Sequence, residues 1–126
     1  MSDRHGEGMR IRREVLGEDH VAAAVASTTA DTAAFQDLIT RYAWGEIWAR
    51  PGLDRRTRSA ITLMALIALN REHELATHIR AALRNGLSRE EIGEVLLKSA
   101  IYCGVPAANG AFAIFRDVMA EEEGDR

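Results

Sequence analysis

SAITLMALIALNREHELATHIRAALRNGLSREEI, residues 59 to 92, holds two helix-forming patterns joined by a short polar break, and its reading decides the fold class. Between Ala60 and Leu69 the only polar residue is Thr62, so a helix starting near Asp54 is apolar around its whole circumference. Such a helix is expected at the centre of a bundle, buried on every side. Arg71 to Arg84 then sets Leu75, Ile79, Ala82 and Leu83 on one stripe. It stops at Asn85-Gly86, where glycine accepts the left-handed conformation that closes helices. Ser88 and Glu91 have the spacing of a capping box, in which each side chain accepts from the other's backbone N–H. The helix they start is expected to bury Ile92, Val95, Leu96, Ser99 and Cys103.

Working outward, Gly104 and Pro106 open a last helix on which Ala108, Phe112, Phe115 and Met119 recur with helical period. Upstream, Pro51-Gly52 ends a helix that Asp31 would cap and that runs from Thr32 toward Trp48, with Gly45 as a point of bending. Asp19 to Ser27 and a short piece from Ile11 to Leu16, closed by Gly17, are also expected to be helical. Residues 1–8 mix glycine with charge and show no apolar period, the composition of a flexible tail. Nothing alternates with period two. The expectation is therefore an all-α single domain over residues 9–126, with about six or seven helices.

Composition narrows the classes of function. Apolar residues make up 47% of the 126 and charged residues 28%, which is ordinary globular usage. A net charge of −3 without a broad basic patch argues against a nucleic-acid partner. No apolar run approaches the roughly 20 residues of a membrane span, and the polar start lacks a signal-peptide core, so a cytoplasmic protein is expected. The single cysteine, Cys103, permits no intrachain disulfide and no thiolate zinc site. It reads as a small buried hydrophobe. His5, His20 and His73 have no metal-ligand spacing, so no metal is expected.

Three constellations bear on chemistry. Arg71, Glu74 and His78 lie within about 60° of one another on one helix, on the flank of its apolar stripe. A cation, a carboxylate and an imidazole so placed can bind an anion and move a proton near neutral pH; the same spacing also suits a solvated face with an ordinary Glu-His pair. Arg41, Trp44 and Trp48 share a face if their helix persists, either as a wall over a small planar anion or as packing anchors. Arg55, Arg56 and Arg58 crowd the first turn of the central helix, where cations oppose the macrodipole; they attract an anionic substrate or pair with acidic residues. An apolar central helix with few neighbours also points to homo-oligomerisation.

The runs RREVLG (12–17), LITRYAWGEIWARPGLDRRTRS (38–59), ALNREHELATHIRAALRNGLSREEI (68–92) and EVLLKSAIYCGVPAANGAF (94–112) resemble the γ-carboxymuconolactone decarboxylases. The similarity covers nearly everything beyond the first ten residues. The wider superfamily includes alkylhydroperoxidase D-like proteins, whose Cys-x-x-Cys-x-x-x-His motif falls here on Arg71, Glu74 and His78. With both thiols replaced, disulfide exchange through that helix is not expected.

The resemblance implies an alkylhydroperoxidase D-like helical bundle assembled as a ring, a hexamer or trimer. It implies loss of CO2 from γ-carboxymuconolactone, a dicarboxylate lactone, to give β-ketoadipate enol-lactone in the protocatechuate branch of aromatic catabolism. No cofactor is required, because the lactone supplies its own electron sink. On this basis His78 donates a proton or polarises the lactone carbonyl, and Glu74 orients it. Arg71, Arg41 or Arg58 holds the carboxylate that stays, and Trp44 and Trp48 form an apolar wall. The competing expectations are a related decarboxylase or isomerase of another small carboxylate lactone, a non-catalytic ring that binds small acids and, more remotely, a thiol peroxidase.

Overall fold

A computed structural model of the chain describes residues 3–124, and among these every regular element is helical. Two compact units divide at Asp54/Arg55.

The first unit contains α1 (Arg4–Leu16), α2 (Glu18–Ala26) and α3 (Ala33–Ile39), and α3 runs directly into a π-helical segment, Thr40–Ile47. The expected tail is corrected here: from Arg4 onward it is helix, capped by the Asp3 carboxylate, which accepts from the Gly6 N–H at 3.0 Å. Met1 and Ser2, the rest of that expected tail, lie outside the described residues. The glycines that looked like tail composition are packing residues. A methyl group on Gly8 would sit 2.0 Å from the Thr40 carbonyl oxygen, and one on Gly45 would sit 2.5 Å from the Arg4 carbonyl oxygen. Helix α1 and the π segment therefore touch backbone to backbone. Gly8, Ile11, Arg12 and Val15, spaced i, i+3, i+4 and i+7, form the buried stripe of α1.

Two expectations for the following stretch are also corrected. Thr32, not Asp31, occupies the N-cap of α3, and its hydroxyl accepts from the Thr29 N–H at 2.9 Å. The helix expected to reach Trp48 changes its hydrogen bonding at Thr40, as the Trp48 N–H to Ala43 carbonyl bond at 2.9 Å records. Gly45 lies within this stretch of i→i+5 bonding.

The second unit packs α4 (Arg55–Ala68), α5 (Glu72–Arg84), α6 (Arg89–Tyr102) and α7 (Val105–Gly124) around a core of Leu63, Ile67, Leu75, Ile79, Ile92 and Leu96. Helix α4 touches all three others but buries only the stripe Ser59, Leu63 and Ile67. Ile61 is 54% exposed and Leu69 62%, so within the chain the apolar circumference of α4 is only partly covered. This corrects burial on every side. Gly86, at φ 102°, closes α5, and Ser88 and Glu91 form both bonds of the expected capping box. Of the expected α6 stripe Ile92, Leu96 and Ser99 are buried, while Val95 and Cys103 are only half-buried, the Cys103 Sγ lying 3.7 Å from Met64 Sδ. No helix among the described residues is long and apolar enough to cross a membrane.

Replacing Gly8 or Gly45 with Ala should cost about 2–4 kcal/mol in urea unfolding, because the obstruction is backbone and cannot rotate away. Gly93, in mid-helix with open space around it, is the control; Gly93→Ala should stabilise by about 0.5–1 kcal/mol. The Ser88 N–H and the Arg56 guanidinium lower the Glu91 pKa. Its stabilising contribution is thus present above the ordinary carboxylate range and lost as pH falls through the lowered value. Glu91→Gln should flatten the acid limb of the stability curve, as read by urea melts from about pH 3 to 6.

Candidate functional site

Asn70, at φ 57°, adopts the left-handed conformation that turns the chain from α4 into α5 and places Arg71 at the N-cap of α5. Arg71 makes no side-chain capping hydrogen bond there. The first-turn N–H groups of α5 consequently carry the positive end of the helix dipole toward whatever lies in front of them.

Beside that N-terminus is a cavity of about 160 Å³. Asn70, Arg71 and Glu72 give it a polar lip, Leu66, Ile67 and Leu75 an apolar side, and Pro106, Ala107, Gly110 and Ile114 of α7 the opposite side. A Cβ on Gly110 would come 3.6 Å from Glu72 Oε1, so the missing side chain at Gly110 leaves space beside that carboxylate. Drug-sized sites run to about 300–1,000 Å³, so this one suits a small ring. A small cavity lined by apolar side chains and an arginine can hold a small organic acid by its carboxylate.

The sequence-predicted residues are distributed unevenly about this cavity. Arg71 lines it; Glu74 and His78 do not. Glu74 is exposed in the first turn of α5, and His78, one turn on, is half-buried on the same side of the helix. Arg58 is half-buried in the first turn of α4. Arg56 donates to the Gly86 carbonyl and to Glu91, so of the three arginines crowded there this one serves the α5–α6 turn. Arg41 is exposed, and its Nε donates to the Asp37 carboxylate at 2.9 and 3.0 Å. Trp44 is only 6% exposed and stacks on Trp48, with ring centroids 5.2 Å apart. Neither Asn70 nor Glu72 was singled out from the sequence. The signal available was the polar break LNRE between two apolar helices, where an asparagine able to adopt positive φ precedes a helix start. Among the described residues no three of His, Cys, Asp and Glu gather closely enough to hold a metal ion.

The Carboxymuconolactone decarboxylase family matches residues 33–117, which span the end of the first unit and nearly all of the second, cavity included. The chain belongs to that family. Its relatives include a protein named 4-carboxymuconolactone decarboxylase from Acinetobacter baylyi, 42% identical over 118 residues, covering 94% of this chain and 88% of that one. A second, named nitrosuccinic acid decarboxylase, from Metarhizium robertsii, is 43% identical over 86% of this chain and 76% of its own length. An uncharacterised 15.0 kDa protein of Paracoccus denitrificans is 33% identical over 64% of this chain. Both relatives named for an activity are decarboxylases of small acids.

Because Asn70 holds the turn that aims Arg71, Asn70→Gly should be neutral within about 0.5 kcal/mol, whereas Asn70→Val should cost about 1–2 kcal/mol. Chemical denaturation of the two variants reads the difference.

Proposed function

We propose that the protein is a cofactor-free decarboxylase of γ-carboxymuconolactone that releases CO2 and β-ketoadipate enol-lactone, serving the protocatechuate branch of aromatic catabolism. The observation that carries this reading is the extent of the similarity to the relative named for that activity, 42% identity over nearly the full length of both chains.

The chemistry is consistent with the residues present. When the C–C bond to the departing carboxylate breaks, its electron pair stays on a ring carbon conjugated through the double bond to the lactone carbonyl, and the charge delocalises onto that oxygen. The substrate thereby does what a pyridoxal or thiamine cofactor does elsewhere. The protein has to hold the carboxylate that remains, stabilise the oxyanion and return a proton to carbon. Arg71, in the cavity lining and at the N-cap of α5, is suited to the first two tasks. His78 is assigned the proton and Glu74 its orientation, from their places along the same side of α5. Arg41, Arg58, Trp44 and Trp48 are assigned to substrate binding as completing residues of the assembled enzyme.

Assembly as a homo-oligomeric ring, a hexamer or trimer, is part of the reading. Ile61 on α4, Leu69 just after it, Leu97, Ile101 and Tyr102 on α6, and Val105 at the start of α7 are 54–78% exposed, apolar side chains that contact between copies would cover. A cytoplasmic location fits a substrate made and consumed by central catabolism.

A second reading is favoured by one specific observation, the nitrosuccinic acid decarboxylase of nearly equal identity. Nitrosuccinic acid also has two carboxylates and an electron-withdrawing group beside one of them, so a related acid with its own sink is the competing substrate class. Turnover of γ-carboxymuconolactone and of 2-nitrosuccinate, followed by released CO2 with chelator present, separates the two. The lactone should be turned over with the higher kcat/KM, and the reverse order would transfer the assignment. His78→Ala should lower kcat by about 10²-fold or more if the imidazole is the acid, with an unchanged melting curve as the control for folding.

A further inference from the structure

Arg12 is 6% exposed, and among the described residues its guanidinium meets only neutral oxygens. Nη1 and Nη2 both donate to Gln36 Oε1 at 3.2 Å, and Nη1 also reaches Thr40 Oγ1 at 3.4 Å. Nε has no partner. The Thr40 hydroxyl donates its own proton to the Gln36 carbonyl at 2.8 Å, which leaves its lone pairs for Arg12. A guanidinium carries five N–H donors, so two neutral acceptors leave both its charge and part of its donor set unmatched. Burial draws its pKa below the ordinary arginine value, the physical sign of that unmet charge.

This side chain lines an open groove of about 600 Å³ in the first unit. Met9, Val25 and Ala33 give the groove an apolar side, and His5, Thr28, Gln36 and Thr40 give it hydrogen-bonding groups. The one carboxylate on its wall, Asp37, is held by Arg41 at 2.9 Å and lies 3.8 Å from His5. It is therefore engaged elsewhere and does not answer Arg12. Thr40 is also where the helix switches to π bonding, a local irregularity that frequently accompanies binding sites.

We propose that this groove binds a small organic carboxylate through the charge of the Arg12 guanidinium, with Gln36 and Thr40 holding that group in place and the apolar side taking the acid's carbon chain. A carboxylate in the groove supplies the missing charge and accepts from the Nη2 hydrogen that Gln36 and Thr40 leave over. The nearby Asp37 weighs against more highly charged headgroups such as phosphate. The carboxylate has two possible sources, the reacting molecule itself or a free acid that tunes the enzyme. Nothing in the inference requires the reaction proposed above, because it is read by binding alone.

The test is calorimetric titration and thermal melting of the full-length protein with succinate, at matched ionic strength in chloride. Saturable succinate binding with a raised Tm is expected, weakened by at least about tenfold in Arg12→Met, the loss appropriate to a charge-assisted pair. Val25 is 52% exposed on the groove wall, so Val25→Trp should narrow the groove while leaving the Arg12 side chain in the protein, and should weaken binding. If Arg12→Met does not fold, Val25→Trp decides alone. Absence of saturable binding to the parent protein, as when an acidic side chain of another copy already neutralises Arg12, overturns the proposal. So does binding that survives both substitutions. Succinate acting on turnover identifies the source: a rise in KM that vanishes in Val25→Trp means the groove takes the reactant's own carboxylate, and a change in kcat that vanishes there means a free acid.

Discussion

Between Gly8 and the carbonyl oxygen of Thr40 there is no room for a methyl group, and the first unit is organised by that closeness. Backbone contact at one point of a helix fixes the face that the rest of the helix presents. With Gly8 against the π segment, residues three, four and seven positions later turn the same way, so Ile11 and Val15 fill the interior and Arg12 is carried in with them. The buried cation is thus a geometric consequence of the helix crossing. Its hydrogen-bond partners come from the same place, since Gln36 and Thr40 flank the point where α-helical bonding gives way to π bonding.

The second unit solves a different problem. Its helices are joined by short turns with strong local signals: the left-handed Asn70, the positive-φ Gly86, and the reciprocal capping of Ser88 and Glu91 reinforced by Arg56. These turns leave the N-terminus of α5 beside a small cavity that Arg71 helps to line. For a reaction in which the substrate stores its own electrons, little more is required than a charged anchor, a dry wall and a proton source. With Arg71 and Glu74 where a thiol pair would stand, disulfide exchange cannot run through α5.

The second unit was largely legible from sequence because its information is local. The α5 stripe, the Asn85-Gly86 stop, the capping box and the α6 face are each set by residues within a turn or two of one another. The first unit was harder. Gly8 read as tail because a glycine in a close crossing cannot be told from one in a loop until its opposite surface, here Thr40 and Gly45, is known. The π segment left no periodic trace, since an eight-residue change in hydrogen bonding barely shifts an apolar pattern. Burial of Arg12 was invisible for a related reason: on charge alone, Arg12 and Arg13 are equivalent, and only the crossing distinguishes them. On the site, spacing put Glu74 and His78 a turn apart on α5, whereas Arg71, expected on the same helix, is its N-cap residue. The cavity took only Arg71 of these, together with Asn70 and Glu72, because its shape depends on the small residues of a distant helix, α7.

The uncovered apolar residues of α4 and α6 have a consequence for how the protein behaves in a cell. If Ile61, Leu69, Leu97 and Ile101 are covered only when copies meet, folding and association become a single equilibrium governed by mass action. Dilution would then cost stability as well as assembly. A cell making too few copies would lose them to proteolysis before any catalytic particle formed, which turns expression level into a threshold for the pathway step.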